Sequence, residues 1–178
     1  DWELKTAGNR LHHAIGGKLT SAREDAAVIV DAVCAHLGVT NACATKGRAF
    51  PWKPVQNFVV WMKEFNGHAQ RIGVDAECAG WLLRRYGARA EYVLDIVEQE
   101  PHLGSRIVSD LPFIFADLLV SARDEMVLHL SDLLRRRMPL LILTRMSSAK
   151  LGEIAKLVAP VLNWDESRIE QEVQACIR

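Results

Sequence analysis

The sequence predicts a mainly α-helical protein in which a short strand–turn–helix segment precedes a helical C-terminal domain. Three observations support this fold class. After residue 54, apolar residues recur every three or four positions, as in helices with one buried face. Residues 11–15 alternate weakly between polar and apolar and lead into Gly16-Gly17, as in a short strand followed by a turn. A helical pattern then covers residues 21–38, so a fragment of an α/β layer precedes the helices.

Composition places the chain among ordinary globular proteins. Its 178 residues are 49% apolar and 25% charged, which favours one domain and at most two. The 22 basic and 22 acidic residues balance, so charge gives no argument for a nucleic-acid partner, and none is predicted. No apolar run reaches the roughly 20 residues needed to span a bilayer. The chain begins with neither a signal peptide nor an initiator methionine, and we expect it to be part of a larger protein.

The cysteines argue against a metal site and for a reducing compartment. They are scattered and form no CxxC pair, and their positions are Cys34, Cys43, Cys78 and Cys176. Cys34 and Cys78 lie on helical patterns beside apolar residues, where buried structural thiols are common. A cytoplasmic location fits best.

The first helix has clear limits in the sequence. Ser21 and Glu24 have the spacing of a capping box, in which each side chain accepts from the other residue's amide. The apolar positions that follow have helical spacing: Ala26, Val30, Val33 and Leu37. Gly38 is the expected end of the helix. Residues 39–53 have no sustained period, so we predict residues 1–40 as one module, 41–53 as a connector, and 54–178 as the helical domain.

Within residues 54–178, start and stop residues predict a series of helices. We expect the first from Pro54, in its first turn, to Gly67, and the second over residues 76–86 between Asp75 as cap and Gly87 as end. The third covers about residues 89–99 and ends before Pro101. A long helical stretch opens at Asp110 and Pro112 and extends to Met138, with a possible break near residues 120–123. Ser147 or Ser148 caps a helix that closes at Pro160, and Asp165 caps the last one. Residues 139–144 have the composition of a strand but no partner strand.

The stretch from Ser121 to Met138 has the most regular pattern. On an uninterrupted helix one face is polar and consists of Glu125, His129, Asp132 and Arg136. The simpler interpretation, which we favour, is a solvated face with an Asp132–Arg136 pair. The alternative is a polar network beneath a neighbouring helix, holding the helical domain together or against another domain.

The segment Gly16-Gly17-Lys18-Leu19-Thr20 is the strongest chemical signal. Two glycines before a helix let a ligand approach the backbone closely, and the amides of the first helical turn attract negative charge. Lys18 adds a positive charge at this position. The pattern is short and lacks Walker A spacing, so an ordinary strand-to-helix turn explains it about as well.

Several motifs of this sequence together resemble those of one enzyme family. The segment HHAIGGKLTSAREDAAVIVD, ending at Asp31, is similar to the end of that family's flavin-binding domain. Residues 83–87 (LRRYG) resemble the Tyr-Gly end of its L-x-x-x-Y-G element in the C-terminal helical domain. Residues 113–120, Glu125 and the run 132–137 (DLLRRR) resemble an acidic and arginine-rich motif of the same domain, and residues 162–164 (LNW) resemble its L-x-W. The family with these motifs is that of the FAD-dependent glycerol-3-phosphate dehydrogenases, and the resemblance to it covers nearly the whole chain.

The resemblance implies a parent enzyme that oxidises glycerol 3-phosphate to dihydroxyacetone phosphate, with hydride transfer to FAD and electrons passing to a membrane quinone. By analogy with the family, Gly16, Gly17 and Thr20 would be flavin neighbours, and Lys18 would contact the substrate. The parent would be cytoplasmic and peripheral on the inner face of the cell membrane. No catalytic residue and no metal ligand is predicted in this chain.

The sequence departs from the family pattern at several positions, and these departures bear on the identity of the substrate more than on membership of the family. Ser21-Ala22 stands where the family has Thr-aromatic, Met138-Pro139 where Thr-Arg is common, and Asp117 where glutamate is expected. No G-x-G-x-x-G occurs, so the element that holds the ADP half of FAD lies outside this sequence. We therefore expect this chain alone to bind neither FAD nor substrate and to be inactive. Its expected partner is the missing N-terminal flavin domain, and a homodimer through the uncovered apolar faces is an alternative.

Two other functions remain open at this point. One is a non-catalytic helical interaction module, and the other is the tail of a divergent FAD-dependent oxidoreductase with another substrate. Histidines do not favour a metal enzyme, because His12 and His13 point to opposite sides of a strand, and a structural, hydrogen-bonded role is expected for His129. Trp52, Trp61 and Trp81 are interpreted as packing residues between helices.

Overall fold

The computed structural model describes residues 2–8 and 10–177 and divides into two compact units, Asp1–Phe50 and Pro51–Arg178, called unit 1 and unit 2. The division falls within the predicted connector. The predicted fold class is confirmed, since a short strand–turn–helix precedes a helical domain. Each unit is described by itself.

Unit 1 contains a two-stranded antiparallel hairpin that the sequence analysis only half predicted. The predicted strand exists as β2 (Leu11–Gly16), but it pairs with an additional strand, β1 (Trp2–Ala7), in a register that joins Trp2 to Gly16. The alternation of Trp2, Glu3, Leu4 and Lys5 was the overlooked signal.

Helix α1 (Ala22–Leu37) follows the hairpin, and its predicted capping box is wrong. The Ser21 hydroxyl donates to Lys18 O at 3.2 Å and to Asp25 Oδ2 at 2.8 Å, and it accepts no backbone amide. The Glu24 carboxylate instead pairs with Arg23 at 3.0 Å. Gly38 ends the helix in the left-handed conformation, as predicted.

Unit 2 contains the remaining helices. Their bounds are α2 (Phe58–Arg71), α3 (Ala76–Tyr86), α4 (Ala90–Gln99), α5 (Phe115–Asp124), α6 (Leu130–Asp132), α7 (Leu140–Leu143), α8 (Ser148–Leu162) and α9 (Glu166–Ile177). Among these helices, α5 packs against both α4 and α8. A π-helical turn, Leu133–Arg137, continues α6. Short 3₁₀ turns cover Gly87–Arg89 and Pro101–Gly104.

Two apolar cores stabilise unit 2. The first lies among α2, α3, α4 and α5 and includes the fully buried Phe65, Leu82 and Leu94. The second lies among α5 to α9 and includes the fully buried Leu133 and Leu134. Helix α5 supplies residues to both cores, so it holds the two halves of the unit together.

Cap residues set the ends of several helices in unit 2. Asp75 Oδ1 accepts the amides of Glu77 and Cys78, and Asp165 Oδ1 accepts that of Arg168, as predicted for α3 and α9. Ser147 accepts the Lys150 amide at 3.2 Å and caps α8. At Gly87 a Cβ would lie 2.4 Å from Trp52 O, so only glycine fits at the end of α3.

Several predicted helix limits are wrong. Helix α2 starts at Asn57, whose side chain caps it, and not at Pro54, and it continues through Gly67. Pro160 lies inside the last turn of α8, because the residue still has helical dihedrals and only one amide is lost. Residues 139–144, considered as a strand, form the short helix α7. The helix expected from Asp110 begins at Phe115.

The regular stretch from Ser121 to Met138 is not one helix. Helix α5 ends at Asp124, Met126 has a positive φ of 52°, and a new helical turn starts at His129. Asp132 Oδ2 accepts the His129 amide at 2.9 Å and the Leu128 amide at 3.3 Å, and the Asp132 amide donates to the His129 carbonyl, so Asp132 fixes the start of this turn. The predicted polar face therefore does not exist as one stripe, although the Asp132–Arg136 pair does form.

Among residues 2–8 and 10–177, no helix has both the length and the apolar character that crossing a bilayer requires.

Candidate functional site

The corner between β2 and α1 contains the residues predicted to bind cofactor and substrate. Gly16 and Gly17 have positive φ angles of 82° and 114°, which side chains rarely adopt, so glycine is required for the sharp bend. Lys18 and Thr20 follow in the exposed turn that leads into the helix. The structure thus brings Gly16, Gly17, Lys18 and Thr20 together in one short surface segment.

The corner offers hydrogen-bond donors and a positive charge. In the described part of the chain, the amides of Lys18, Leu19 and Thr20 have no acceptor, whereas the Ser21 amide donates to Lys18 O at 3.1 Å. These donors and the Lys18 ammonium suit an anionic or oxygen-rich ligand. The residues therefore fit the polar edge of a flavin.

One neighbour opposes negative charge at the corner. Asp25 Oδ2 would lie 3.5 Å from a Cβ on Gly17, and its nearest donor is Ser21. A ligand placed over Gly17 would thus lie beside a carboxylate. The favourable side of the corner is the one formed by the free amides and Lys18.

The corner does not enclose a ligand by itself. Every residue from Leu11 to Thr20 except His12 is exposed, and the Leu19 side chain is 95% exposed. A ligand as large as FAD needs walls that residues 2–50 do not supply. The corner can act only as one side of a larger site.

Unit 2 contains a buried polar network that includes Glu125, as in the alternative interpretation of the polar face, but the other members of this network were not predicted. Tyr86, at the end of α3, donates its hydroxyl proton to Asp117 Oδ1 on α5, and the same hydroxyl lies 3.0 Å from Ser121 Oγ. Asp117 and Ser121 are fully buried. Because Tyr86 and Asp117 belong to two motifs that carry the family resemblance, the structure joins those motifs in one place.

Arg85 extends this network towards the surface. Its Nη2 donates to Ser121 Oγ at 2.9 Å and to Glu125 Oε2 at 2.8 Å, and its Nη1 donates to Arg137 O. Arg137 in turn donates from Nε to Glu125 O at 2.7 Å. Arg85 therefore ties α3 to α5 and to the π-helical turn. Glu125 belongs to this network rather than to a solvated stripe.

Burial controls the protonation of the network. It raises the pKa of Asp117, although the positive charge of Arg85 and the hydrogen bond from Tyr86 act in the opposite direction. Asp117 Oδ2 has no partner among the described residues, which also favours the neutral acid. Burial and the nearby Asp117 raise the pKa of Tyr86 as well, so its hydroxyl remains protonated.

His129 is a structural residue, as expected. Its Nδ1 lies 2.9 Å from Glu172 Oε1, and Glu172 Oε2 accepts the Leu130 amide at 2.8 Å. Glu172 is buried and also pairs with Arg168 at 2.7 Å. This arrangement fixes the start of α6 against α9 and gives His129 no catalytic geometry.

The other candidates of the sequence analysis have structural surroundings too. No group of three potential metal ligands exists among the described residues, and His12 Nδ1 lies 3.0 Å from Thr6 Oγ1. Trp61 is buried in the first core, and Trp81 stacks edge-on against Phe113 at 4.9 Å. Trp52 is half exposed, but its carbonyl accepts the Ala88 amide at 2.8 Å. Cys78 is buried, as predicted, whereas Cys34 is only partly so.

A family comparison identifies the helical domain. Residues 52–169 match the model of the C-terminal domain of alpha-glycerophosphate oxidase. This match covers most of the chain and most of unit 2.

Individual relatives match over nearly the whole chain. A mitochondrial glycerol-3-phosphate dehydrogenase of Arabidopsis thaliana is 30% identical over 89% of this chain and 27% of its own length. A glycerol-3-phosphate dehydrogenase of Synechocystis is 28% identical over 93% of this chain and 30% of its own. An aerobic glycerol-3-phosphate dehydrogenase of Staphylococcus aureus is 28% identical over 99% of this chain and 33% of its own. The chain thus spans about a third or less of the length of these relatives.

A solved structure has the same fold. The glycerol-3-phosphate dehydrogenase from Bacillus halodurans, complexed with FAD, superposes with a TM-score of 0.73 at 24% identity. The superposition covers 97% of this chain and 36% of the other.

Proposed function

This chain belongs to the family defined by the C-terminal domain of alpha-glycerophosphate oxidase, and we propose that it is the C-terminal part of an FAD-dependent glycerol-3-phosphate dehydrogenase. The observation that carries the proposal is the extent of the similarity, which reaches 99% of the chain and therefore includes both units. A match confined to the helices would support only a shared helical module.

The proposed reaction is the oxidation of glycerol 3-phosphate to dihydroxyacetone phosphate, with electrons passing to a membrane quinone. When bound, FAD supplies the hydride acceptor. This chain would contribute the corner at residues 16–20, where Gly16, Gly17 and Thr20 approach the flavin and Lys18 binds an oxygen of the substrate. The free amides at the corner and the exposed ammonium support these roles.

The helical domain would have a structural or regulatory role. Its polar network joins α3, α5 and the π-helical turn within unit 2, and none of these residues belongs to the corner. The missing flavin domain would be the main partner, and the parent would bind the inner face of the cell membrane peripherally. The 178-residue chain alone would lack FAD and activity, because the corner forms only one side of a site.

Restoring the upstream residues tests this proposal. The intact protein should be yellow and should reduce a dye when glycerol 3-phosphate is added. Lys18→Ala should lower kcat/KM for glycerol 3-phosphate by roughly tenfold or more, since it removes a charged hydrogen-bond donor. Lys46→Ala, an exposed lysine of the same unit, is the matched control and should leave the rate unchanged.

Two results would contradict different parts of the proposal. A colourless intact protein would exclude the flavoenzyme and favour the non-catalytic helical module. A yellow protein that reduces no dye when glycerol 3-phosphate is added would exclude only glycerol 3-phosphate as the substrate. A related substrate is the second candidate, because Ala22 supplies no aromatic ring and the Ser21 hydroxyl is engaged with Asp25.

A further inference from the structure

An arginine-rich groove lies in unit 2, beside the polar network but outside the corner. It has a volume of about 650 Å³ and lies between the end of α3, the segment after α5 and the π-helical turn. Its walls include two pairs of consecutive arginines, two acidic residues and three apolar ones. These are Arg84, Arg85, Arg136, Arg137, Asp124, Glu125, Trp81, Met126 and Pro139.

The acidic residues of the groove are already engaged. Asp124 accepts two hydrogen bonds from Arg123, at 2.8 and 3.0 Å, and these bonds lower the pKa of Asp124 despite partial burial. Glu125 accepts from Arg85 at 2.8 Å. Glu125 also lies 4.0 Å from Arg137 Nε, so the two carboxylates pair with Arg123, Arg85 and Arg137, and neither pairs with Arg84.

Two arginines of the groove retain free donors. Arg84 is exposed at the groove, and its guanidinium makes no hydrogen bond or ion pair in the described part of the chain. Arg137 Nε donates to Glu125 O and lies 4.0 Å from Glu125 Oε2, and both Nη groups of Arg137 are without a hydrogen-bond partner among the described residues. Arg136 pairs with Asp132 through Nη1 only. The groove thus has an excess of positive charge with unused, forked donors.

The backbone around the groove has two uncommon conformations. Arg136 and Arg137 belong to the π-helical turn, in which the Met138 amide reaches Leu133 O at 2.7 Å. Such turns are rare and often occur at functional sites. Met126 has a positive φ, and its side chain is 87% exposed at the groove. Both features expose side chains that a continuous helix would place elsewhere.

We propose that this groove binds the phosphate group of an organic phosphate, with Arg84 and Arg137 as the phosphate ligands. Two guanidinium groups with free N–H pairs can together bind the three free oxygens of a phosphate dianion. A carboxylate has only two oxygens and matches such a pair of arginines less well. The exposed thioether of Met126 would contact the organic part of the ligand. Arg85 is a positioning residue, since its bond to the Arg137 carbonyl holds the π-helical turn in place.

The same phosphate chemistry occurs in soluble phosphate esters and in lipid headgroups. The site is separate from the corner at residues 16–20 and does not depend on the proposed dehydrogenase function. If the groove binds no phosphate, the proposed dehydrogenase function is unaffected. If the parent is not a dehydrogenase, the phosphate site is equally unaffected.

Binding measurements on the full 178-residue chain test the proposal. Calorimetric titration with inorganic phosphate and with phenyl phosphate should show saturable binding, tighter for phenyl phosphate. Sedimentation with phosphatidylcholine vesicles, with and without phosphatidic acid, tests the lipid source. Arg84→Gln and Arg137→Gln should each weaken binding roughly tenfold, because each removes a charged hydrogen-bond donor. Met126→Ser should reduce the preference for phenyl phosphate over inorganic phosphate, because it removes the proposed contact with the organic group.

Arg145→Gln is the matched control, since Arg145 is exposed in the same unit and does not line the groove. It should change the affinity for phosphate by less than about twofold, because salt screens a charge that does not line the groove. Arg84→Gln breaks no contact among the described residues, so it keeps the test valid if Arg137→Gln disturbs folding. Binding to phenyl phosphate identifies a soluble ligand, and binding to phosphatidic acid alone identifies a lipid. No binding to any of the probes, or equal losses with Arg145→Gln, would overturn the proposal.

Discussion

The two units of this protein differ in burial although both contain helices with regular apolar patterns. No described residue of unit 1 is buried, and α1 has no buried position. In unit 2, α8 has a comparable pattern, and Leu151, Ile154 and Val158 are all buried. The comparison shows that helical periodicity predicts which face of a helix is apolar. Whether this face is buried depends on which other segments of the protein pack against it.

The difference also separates the two expected roles. Unit 1 carries the corner at residues 16–20 and has exposed apolar side chains such as Ile15 and Leu37. Unit 2 has two cores and an internal polar network. We infer that unit 1 depends for its stability on the flavin domain of the parent, whereas unit 2 is stable by itself.

Separating the units gives the largest expected effect. Residues 51–178 expressed alone should unfold cooperatively on heating, because both cores lie within them. Residues 1–50 alone should show no cooperative transition, because they lack a buried core. Circular dichroism during heating measures both. A sharp thermal transition in residues 1–50 would show that unit 1 is stable by itself and would contradict the difference between the two units.

Shortening one leucine in each unit sharpens the comparison. Leu134→Ala should lower the free energy of unfolding by about 2–5 kcal/mol, since the side chain is fully buried and leaves a cavity. Leu37→Ala on α1 should change it by less than about 0.5 kcal/mol, since that side chain is 63% exposed. Urea denaturation of the full chain measures both. Equal losses would show that α1 is covered in solution, for instance by a second copy of the chain.

The fold could be predicted wherever local chemistry determines an element's end. Asp75 with Gly87, and Asp165, set helix limits through their own side chains and dihedrals, and the structure confirms them. The prediction was wrong where tertiary packing decides. Gly67 and Pro160 remain inside helices because α2 and α8 are held in the cores on both sides of these residues.

The central stretch shows why the polar network could not be predicted. Helical periodicity continues through Glu125, but α5 ends at Asp124 and a new turn starts at His129, where the Asp132 carboxylate accepts the His129 amide. The Tyr86–Asp117 bond joins residues 31 positions apart, and no local pattern encodes such a contact. The corner at residues 16–20 was recognised because glycine, lysine and helix start are adjacent in sequence. Its roles in binding remain predictions.

The pH dependence of stability tests whether Asp117 is buried as unit 2 requires. Because burial raises its pKa in the folded state, the folded protein binds this proton more tightly, and the stability it contributes is lost as pH rises through the folded pKa. Asp117→Asn removes the titration and keeps an acceptor for Tyr86. As pH rises above about 4, where the unfolded carboxyl ionises, the variant should therefore lose less stability than the natural chain in urea denaturation.

Asp124→Asn provides the control with the opposite sign. The bonds from Arg123 lower the pKa of Asp124, so its contribution is present at neutral pH and lost as pH falls. Its removal should flatten only the acid side of the profile. A profile for Asp117→Asn that parallels the natural one would mean that water reaches the Asp117 carboxylate.

The smallest expected effect compares two serines at the starts of helices. Ser147 accepts the Lys150 amide and caps α8, so Ser147→Ala should destabilise that helix by about 1 kcal/mol. Ser21 precedes α1 in the same way, but its hydroxyl donates to Lys18 O and Asp25 and accepts no amide. Ser21→Ala should therefore change hydrogen exchange in α1 less than Ser147→Ala changes it in α8. A larger effect at Ser21 would mean that its bond to Asp25 holds the corner at residues 16–20 in shape, because that bond is the link between the corner and the first turn of the helix.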